Sequence, residues 1–418
     1  MPAAVRAEAA PIAAPAGVVR RRGPDTVIIL AILALTALGL LVVFSSSAMP
    51  GYLSSEGDTF RILGPQLQWA AVGLVLMLVV MRVDYRWLRL ASMPLVLVAG
   101  VLLVLVQVES LQVTVGGSSQ WLRLPGLPAV QPSELAKLAL VVYLAHWMAR
   151  RGGAVAGFRT GLAPFVVIVV PFVALIFKSP DIGSAGVLGL TAVLMFFVAG
   201  ANPLYLAALG ATAVAGAALF LQDYQLARLQ SFADPFADAL RDGFQPVQGL
   251  LALGLGGLFG AGLGERAAAG GIVLPNAHND YIFAVIGQEF GFLGGVAVIG
   301  LFCLLAYRGF RVALAAPDTF GGLLAAGITA WLCLQAFVNI GVVVTLLPVT
   351  GITLPFVSAG GSSLIVSLVA AGILLSVSRE TAVSGGWNAN RDRSRRYGRA
   401  HLPGPRRRAL PSRAPGAA

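Results

Sequence analysis

Charge is the scarcest property of this sequence. Only 11% of its 418 residues are Asp, Glu, Lys or Arg, against about 25% in an ordinary soluble domain. So few charges exclude a water-exposed globular surface of this length. Hydrophobic residues make up 57% of the chain and mean hydropathy is +0.84, so lipid is the solvent for most of it. Cysteine is nearly absent. Cys303 and Cys333 both lie inside apolar runs, which argues against a disulfide framework or a thiolate metal site. Histidine is rarer than chance too, and His146 and His401 carry no signal. A cleavable signal peptide is not expected. The first 24 residues are rich in Ala, Pro and Arg, and the apolar run after them is too long for a signal core.

What is present is basic. The net charge is +11, but the basic residues fall in short clusters between apolar runs and in the two tails. That is the pattern of membrane topology signals, not of a nucleic-acid surface.

A helix needs about 20 apolar residues to cross the hydrocarbon core. Spans are expected near 25–48, 64–82, 87–107, 133–149, 161–178, 181–200, 203–221, 281–307, 320–345 and 357–379. The fold class is therefore an all-α integral membrane protein of about ten transmembrane helices. Residues 1–24 form a cytoplasmic tail, 25–379 the polytopic membrane domain, and 380–418 a basic cytoplasmic tail. Both tails have the composition of disordered segments. With the N-terminus inside, 22 of the 29 Lys and Arg residues fall in cytoplasmic segments and 6 outside. Without the tails the bias shrinks to 8 against 6, so most of the orientation signal lies at the ends.

The longest connection runs from 222 to 280, between the seventh and eighth helices, on the outer side. It carries six acids and apolar stretches such as Leu250–Phe259. Long loops in compact proteins are mostly functional or disordered, and this one is expected to fold back onto the membrane surface.

Ionisable groups inside a bilayer cost about 2.5–3.5 kcal/mol or more and need a partner or a wet cavity. Glu134 and Lys137 stand three apart after Pro132, which suits the first turn of a helix. That spacing puts them on one face, where they can pair. A structural ion pair and a cavity lining are both compatible with this pattern. Glu289 falls inside the eighth span and reads first as a buried hydrogen-bonding group. Asp280 lies at the outer mouth of that span, in Leu274-Pro-Asn-Ala-His-Asn-Asp-Tyr281. It is either a helix cap or a general base at the membrane–water boundary. His278 beside it is more simply a polar contact than a proton partner. The glycines of Gly254–Gly264 suit either close backbone packing or contact with phosphate.

At these residues the chain resembles the SEDS family (shape, elongation, division and sporulation). The resemblance runs from about residue 120 to 377. It rests on Gln131-Pro-Ser-Glu-Leu-Ala-Lys-Leu-Ala139, Pro180-Asp-Ile-Gly183, Gly256-Gly-Leu-Phe-Gly260, Leu274–Gly287, and Asn339–Leu364 with Gly360-Gly-Ser-Ser363. Thr353 and the stretch Arg228–Pro235 look most like the division branch. Gln288-Glu289, Ala359 and Lys178-Ser179 depart from the family pattern.

The resemblance implies a peptidoglycan glycosyltransferase that polymerises lipid II at the outer face of the cytoplasmic membrane. It implies Asp280 as the catalytic residue. The implied substrate-binding or cavity residues are Glu134, Lys137, Glu289, Asp181, Arg123, Arg228, His278, Ser362 and Ser363. A diphosphate leaves without help from a general acid, so one base suffices, unlike the two carboxylates of glycosidases. The diphosphate needs positive charge, from external arginines such as Arg61, Arg123, Arg228, Arg241 or Arg266, or from a divalent cation (Mg or Mn) whose ligands are unknown. No organic cofactor is expected. The implied partner is a class B penicillin-binding protein, alongside other division proteins. A lipid II flippase and a non-catalytic scaffold for that partner remain as alternatives.

Overall fold

A computed structural model of the chain describes residues 19–21, 23–54, 62–115, 118–123, 129–220, 223–241, 243–264 and 277–382. Most of the two expected tails, Arg61 and Arg266 lie outside the described residues.

Among the described residues, twelve α-helices carry the fold. They are α1 Thr26–Ser54, α2 Leu63–Arg82, α3 Leu88–Leu105, α4 Pro132–Arg151, α5 Ala163–Lys178, α6 Ile182–Val198, α7 Pro203–Phe220, α8 Asp223–Ala233, α9 Phe244–Gly256, α10 Ile282–Ala315, α11 Thr319–Val343 and α12 Gly361–Ser378. The protein is thus predominantly helical, as expected. Among the described residues, seven stretches are long and apolar enough to cross a membrane, lying on α1, α2, α3, α5, α10, α11 and α12. The other three expected spans coincide with α4, α6 and α7. Of these, α4 carries a buried ion pair, and α6 is only 17 residues long.

Strand is scarce among the described residues and confined to two short antiparallel pairs. A hairpin of β2 Gln112–Val115 and β3 Ser118–Leu122 precedes α4. At the other end of the bundle β1 Val19–Arg21 pairs antiparallel with β4 Glu380–Ala382, so the two flanks of the membrane domain meet on one side. Ion pairs of Arg308 with Asp25, Arg86 with Glu380 and Arg89 with Asp318 gather at this end.

Helix α11 is the axis. It packs against α4, α6, α9, α10 and α12, and nearly all its side chains are buried. An apolar helix covered on every side belongs at the centre of a bundle. On the periphery α2, α3 and α5 turn Val75, Leu97, Val101 and Val167 outward, each more than half exposed, as a lipid-facing surface requires.

The described part of the long loop contains two helices, α8 and α9. Helix α10 is broken at Gly291, whose φ of 70° and ψ of −166° no helix contains. The glycine-rich turn segment after α9 bridges the break. Ala261 N–H donates to the Gln288 carbonyl at 2.9 Å, and Phe292 N–H to the Gly257 carbonyl at 2.8 Å. The approach is so close that a Cβ on Gly260 would sit 2.1 Å from the Glu289 carbonyl oxygen. Of the two readings of the Gly254–Gly264 glycines, this geometry is that of close backbone packing.

Candidate active site

Opposite the ion-paired end, a cavity of about 390 Å³ opens among the ends of several helices and their loops. Ligand pockets run from about 300 to 1,000 Å³. Its wall includes Asp280, His278, Arg228, Gln245, Glu134, Gln131, Gln120, Thr353 and Ser363.

Asp280 lies in the turn that leads into α10. Its own backbone N–H and the Gln245 side chain, in the first turn of α9, both favour the charged carboxylate. The capping reading finds no support, because the cap position is Tyr281 and no side chain there bonds the first turn. Burial pushes the Asp280 carboxyl up to about 6, while Arg228 and Gln245 pull it down. Desolvation of the charged form outweighs the cation nearby. Burial also lowers the basicity of His278, so its ring is neutral near pH 7. Arg228 donates to the Val349 carbonyl at 3.3 Å and brings the positive charge of the wall.

The floor of the cavity is a polar relay. Lys137 is 1% exposed and donates to Glu134 Oε1 at 2.8 Å and to Gln335 Oε1 at 2.6 Å. Gln335 also accepts from Trp331 at 2.9 Å and donates to the Thr353 carbonyl at 3.1 Å. Thr353 Oγ1 and Ser363 Oγ lie 2.9 Å apart. Asn339, one turn beyond Gln335, holds the Asp280 and Ile352 carbonyls.

Several expected site residues stand elsewhere. Asp181 caps α6 through the Ser184 N–H and accepts from Gln131 and Ser133. It braces the cavity from behind. Ser362 is a bracing contact as well, accepting from the Gln131 N–H at 3.4 Å. Lys137 lies beneath the wall, reaching it only through Glu134 and Gln335. Glu289 is 3% exposed and paired with Ser45 of α1, away from the cavity. Its position beside the α10 break rather than above it explains this. Arg123 is exposed after β3 and does not line the cavity, nor does the exposed Arg241. Among the expected external arginines, the described residues bring Arg228 alone to the wall. No cluster of three potential metal-ligating side chains occurs among the described residues.

Gln245, Gln335 and Asn339 escaped the reading of the sequence. The signal for the last two is the spacing Trp331-x₃-Gln335-x₃-Asn339, which aligns polar groups on one face of an apolar helix.

Residues 25–383 match the family described as cell cycle protein, FTSW_RODA_SPOVE. A relative from Geobacter metallireducens named "Probable peptidoglycan glycosyltransferase FtsW" is 42% identical, covering 85% of this chain and 94% of its own. Stage V sporulation protein E of Bacillus subtilis is 39% identical over 86% of this chain and 98% of its own. Among solved structures, the rod shape determining protein RodA of Thermus thermophilus superposes with a TM-score of 0.63 at 30% identity, over 85% of this chain and 97% of its own. A chain from a study of how a peptidoglycan synthase complex coordinates polymerization and crosslinking superposes with a TM-score of 0.69 at 30% identity, covering 85% and 98%.

Proposed function

We propose, for a chain that belongs to the FtsW/RodA/SpoVE family of cell cycle proteins, that the cavity at Asp280 polymerises lipid II with Asp280 as general base. The protein is a multi-pass bacterial membrane protein and a peptidoglycan glycosyltransferase; its division role fits the naming of its relatives. The observation that carries the site assignment is the placing of Asp280 and Arg228 in the wall of one cavity, where burial pushes the Asp280 carboxyl up to about 6. A base is most effective when its pKa lies near the working pH.

In the reaction, the 4-hydroxyl of one sugar attacks the anomeric carbon of another. The carbon–oxygen bond to the polyprenyl diphosphate breaks as the glycosidic bond forms. Asp280 takes the hydroxyl proton, and the diphosphate carries away the bonding pair. Arg228 stands where positive charge can meet that diphosphate. The relay of Lys137, Gln335, Thr353 and Ser363 fixes the opposite wall. The described donor set does not make a resident metal site. Mg and Mn commonly bind through substrate phosphates with one or two carboxylates, so a cation belongs here with the substrate, and no step is placed on it.

The cavity end is assigned to the outer face and the ion-paired end to the cytoplasm, on the loop arginines. The partner we assign is a class B penicillin-binding protein, which would crosslink the strands made here.

The test is glycan polymerisation from lipid II by the purified protein with its cognate penicillin-binding protein, in Mg²⁺ or Mn²⁺. Wild type should make polymer and a folded, partner-binding Asp280→Ala variant should not. Equal polymer from both would remove Asp280 from the mechanism.

A further inference from the structure

A second cavity, of about 500 Å³, lies at the ion-paired end of the bundle between α3 and α4. Helix α4 is 20 residues long, or about 30 Å. With Gln131 and Glu134 at the Asp280 cavity and Arg150 and Arg151 here, the two cavities stand at opposite ends of one helix.

This wall is cationic and aromatic. Arg89, Arg150 and Arg151 line it with Tyr143 and Trp147, and no acidic side chain is among the lining residues. Arg89 is engaged by Asp318 at 2.8 Å. Arg151 donates to the Thr160 carbonyl at 3.0 Å and stacks over the Trp147 ring. Neither contact to a neutral group cancels the charge of Arg151. Arg150 makes no hydrogen bond or ion pair among the described residues, and it is exposed.

The α3 side of this cavity is formed by Arg89, Ser92 and Met93. The same face of α3 continues, in steps of three and four, into Val96, Leu97, Gly100, Val101 and Val104. Those residues, with Phe172 of α5, line an apolar groove of about 410 Å³. Leu97, Val101 and Val104 are each more than half exposed along it. Gly100 lies in the groove beside Phe172, whose ring would be in ordinary contact, at 3.7 Å, with a Cβ there.

A cation cluster at a helix end joined to an apolar groove one turn further into the bilayer fits one kind of ligand. It must be anionic at the head and hydrocarbon below. We propose that this face binds an anionic phospholipid, its phosphate among Arg89, Arg150 and Arg151 and one acyl chain along α3 over Gly100. Basic pockets between helices at the membrane surface hold such head groups. The free guanidinium of Arg150 supplies the charge complementarity, and Arg forks suit phosphate oxygens.

Native mass spectrometry of the purified full-length protein in an uncharged detergent measures this directly. Phosphatidylglycerol should bind about tenfold tighter than phosphatidylcholine with the same chains. Arg150→Gln should weaken phosphatidylglycerol about fivefold, the effect of about 1 kcal/mol per basic residue at a membrane surface. Arg311→Gln, at the same end on α10, should leave it unchanged. Gly100→Leu should weaken it by filling the groove, and the contact at 3.7 Å leaves room for the variant to fold. Equal binding of the two lipids would overturn the proposal. So would equal losses in Arg150→Gln and Arg311→Gln, or soluble glycerol phosphate binding as well as the whole lipid.

Discussion

Asn339 donates through one amide nitrogen to the backbone carbonyls of both Asp280 and Ile352, each at 2.8 Å. Asn339 is 1% exposed at the end of α11, the most enclosed helix of the bundle. One side chain therefore ties the turn that carries the base to the loop that carries Thr353. Asn339→Ala strands two carbonyls that water does not easily reach, at about 1–3 kcal/mol each. The apparent melting temperature in detergent should fall. The polymerisation kcat should fall further, by about 100-fold, because a displacement of 1 Å in a reacting group costs that much. A variant with kcat within twofold of wild type would show that Asp280 does not need this tether.

The pH profile follows from the burial of Asp280. Its carboxyl sits at about 6, and the base is active when ionised. Polymerisation, read as kcat/KM, should rise with pH through about 6 and level off above 7. The Arg228 cation opposes the rise caused by burial, so Arg228→Gln should move the midpoint upward. Stability runs the other way. A carboxyl that holds its proton more tightly in the folded protein favours folding at low pH, and that contribution is lost as pH rises through about 6. Asp280→Asn should therefore melt higher than wild type at pH 8, with the gain shrinking as pH falls below about 6 and vanishing only below the ordinary carboxylate value of 3.8. A midpoint near 4, or no gain at pH 8, would contradict the buried-base assignment.

The sequence announces this site unevenly. Intramembrane charge is costly, so Glu134 and Lys137 draw notice in any apolar run, and the i,i+3 spacing states their pairing in advance. The helices themselves are legible because hydrophobicity over 20 residues is a strong signal. Glu289 reads from its place in the span as a buried hydrogen-bonding group, as it is, and only the resemblance puts it among the cavity residues. A buried acid looks alike whether it lines a cavity or bonds Ser45 on the far side of a kink, and the kink at Gly291 is a backbone event with no side chain to betray it. Neutral amides are quieter still. Gln245, Gln335 and Asn339 carry no charge for hydropathy to flag, yet they hold the base and the floor. Arg123 and Arg228 are the same residue type in the same class of loop, and what separates them is the contact of Arg228 with the Val349 carbonyl at the cavity wall.

The Glu134–Lys137 pair permits a separation of structure from function. Both side chains are at most 3% exposed, and removing one charge from a buried pair costs about 3–5 kcal/mol. Lys137→Met and Glu134→Gln should each destabilise the protein strongly in thermal unfolding. The double variant should recover much of the loss, because no uncompensated charge remains. Gln335 still loses its Lys137 donor in the double variant, so the relay to Thr353 and Ser363 stays disturbed. A stable double variant with low polymerisation would place the pair in the working wall. A stable double variant with full activity would make it a structural pin.

The break in α10 should prove the least tolerant backbone in the molecule. Gly260 has φ of 87°, and a Cβ there would lie 2.1 Å from the Glu289 carbonyl. Both facts oppose any L side chain, since the left-handed region and the contact are unfavourable together. Gly260→Ala must push residues 257–262 off the broken helix and cut the bonds that Ala261 and Phe292 make across it. Gln245, in the first turn of α9, favours the charged form of the Asp280 carboxyl, so the disturbance reaches the base through α9. Limited proteolysis should cleave the 257–264 segment faster in Gly260→Ala than in wild type, and polymerisation should fall with it. Gly254→Ala is the control, because nothing lies within 4 Å of a Cβ at that position and alanine favours the helix by about 1 kcal/mol. If both variants behave alike, the crossing of α9 over the break has no part in holding the site.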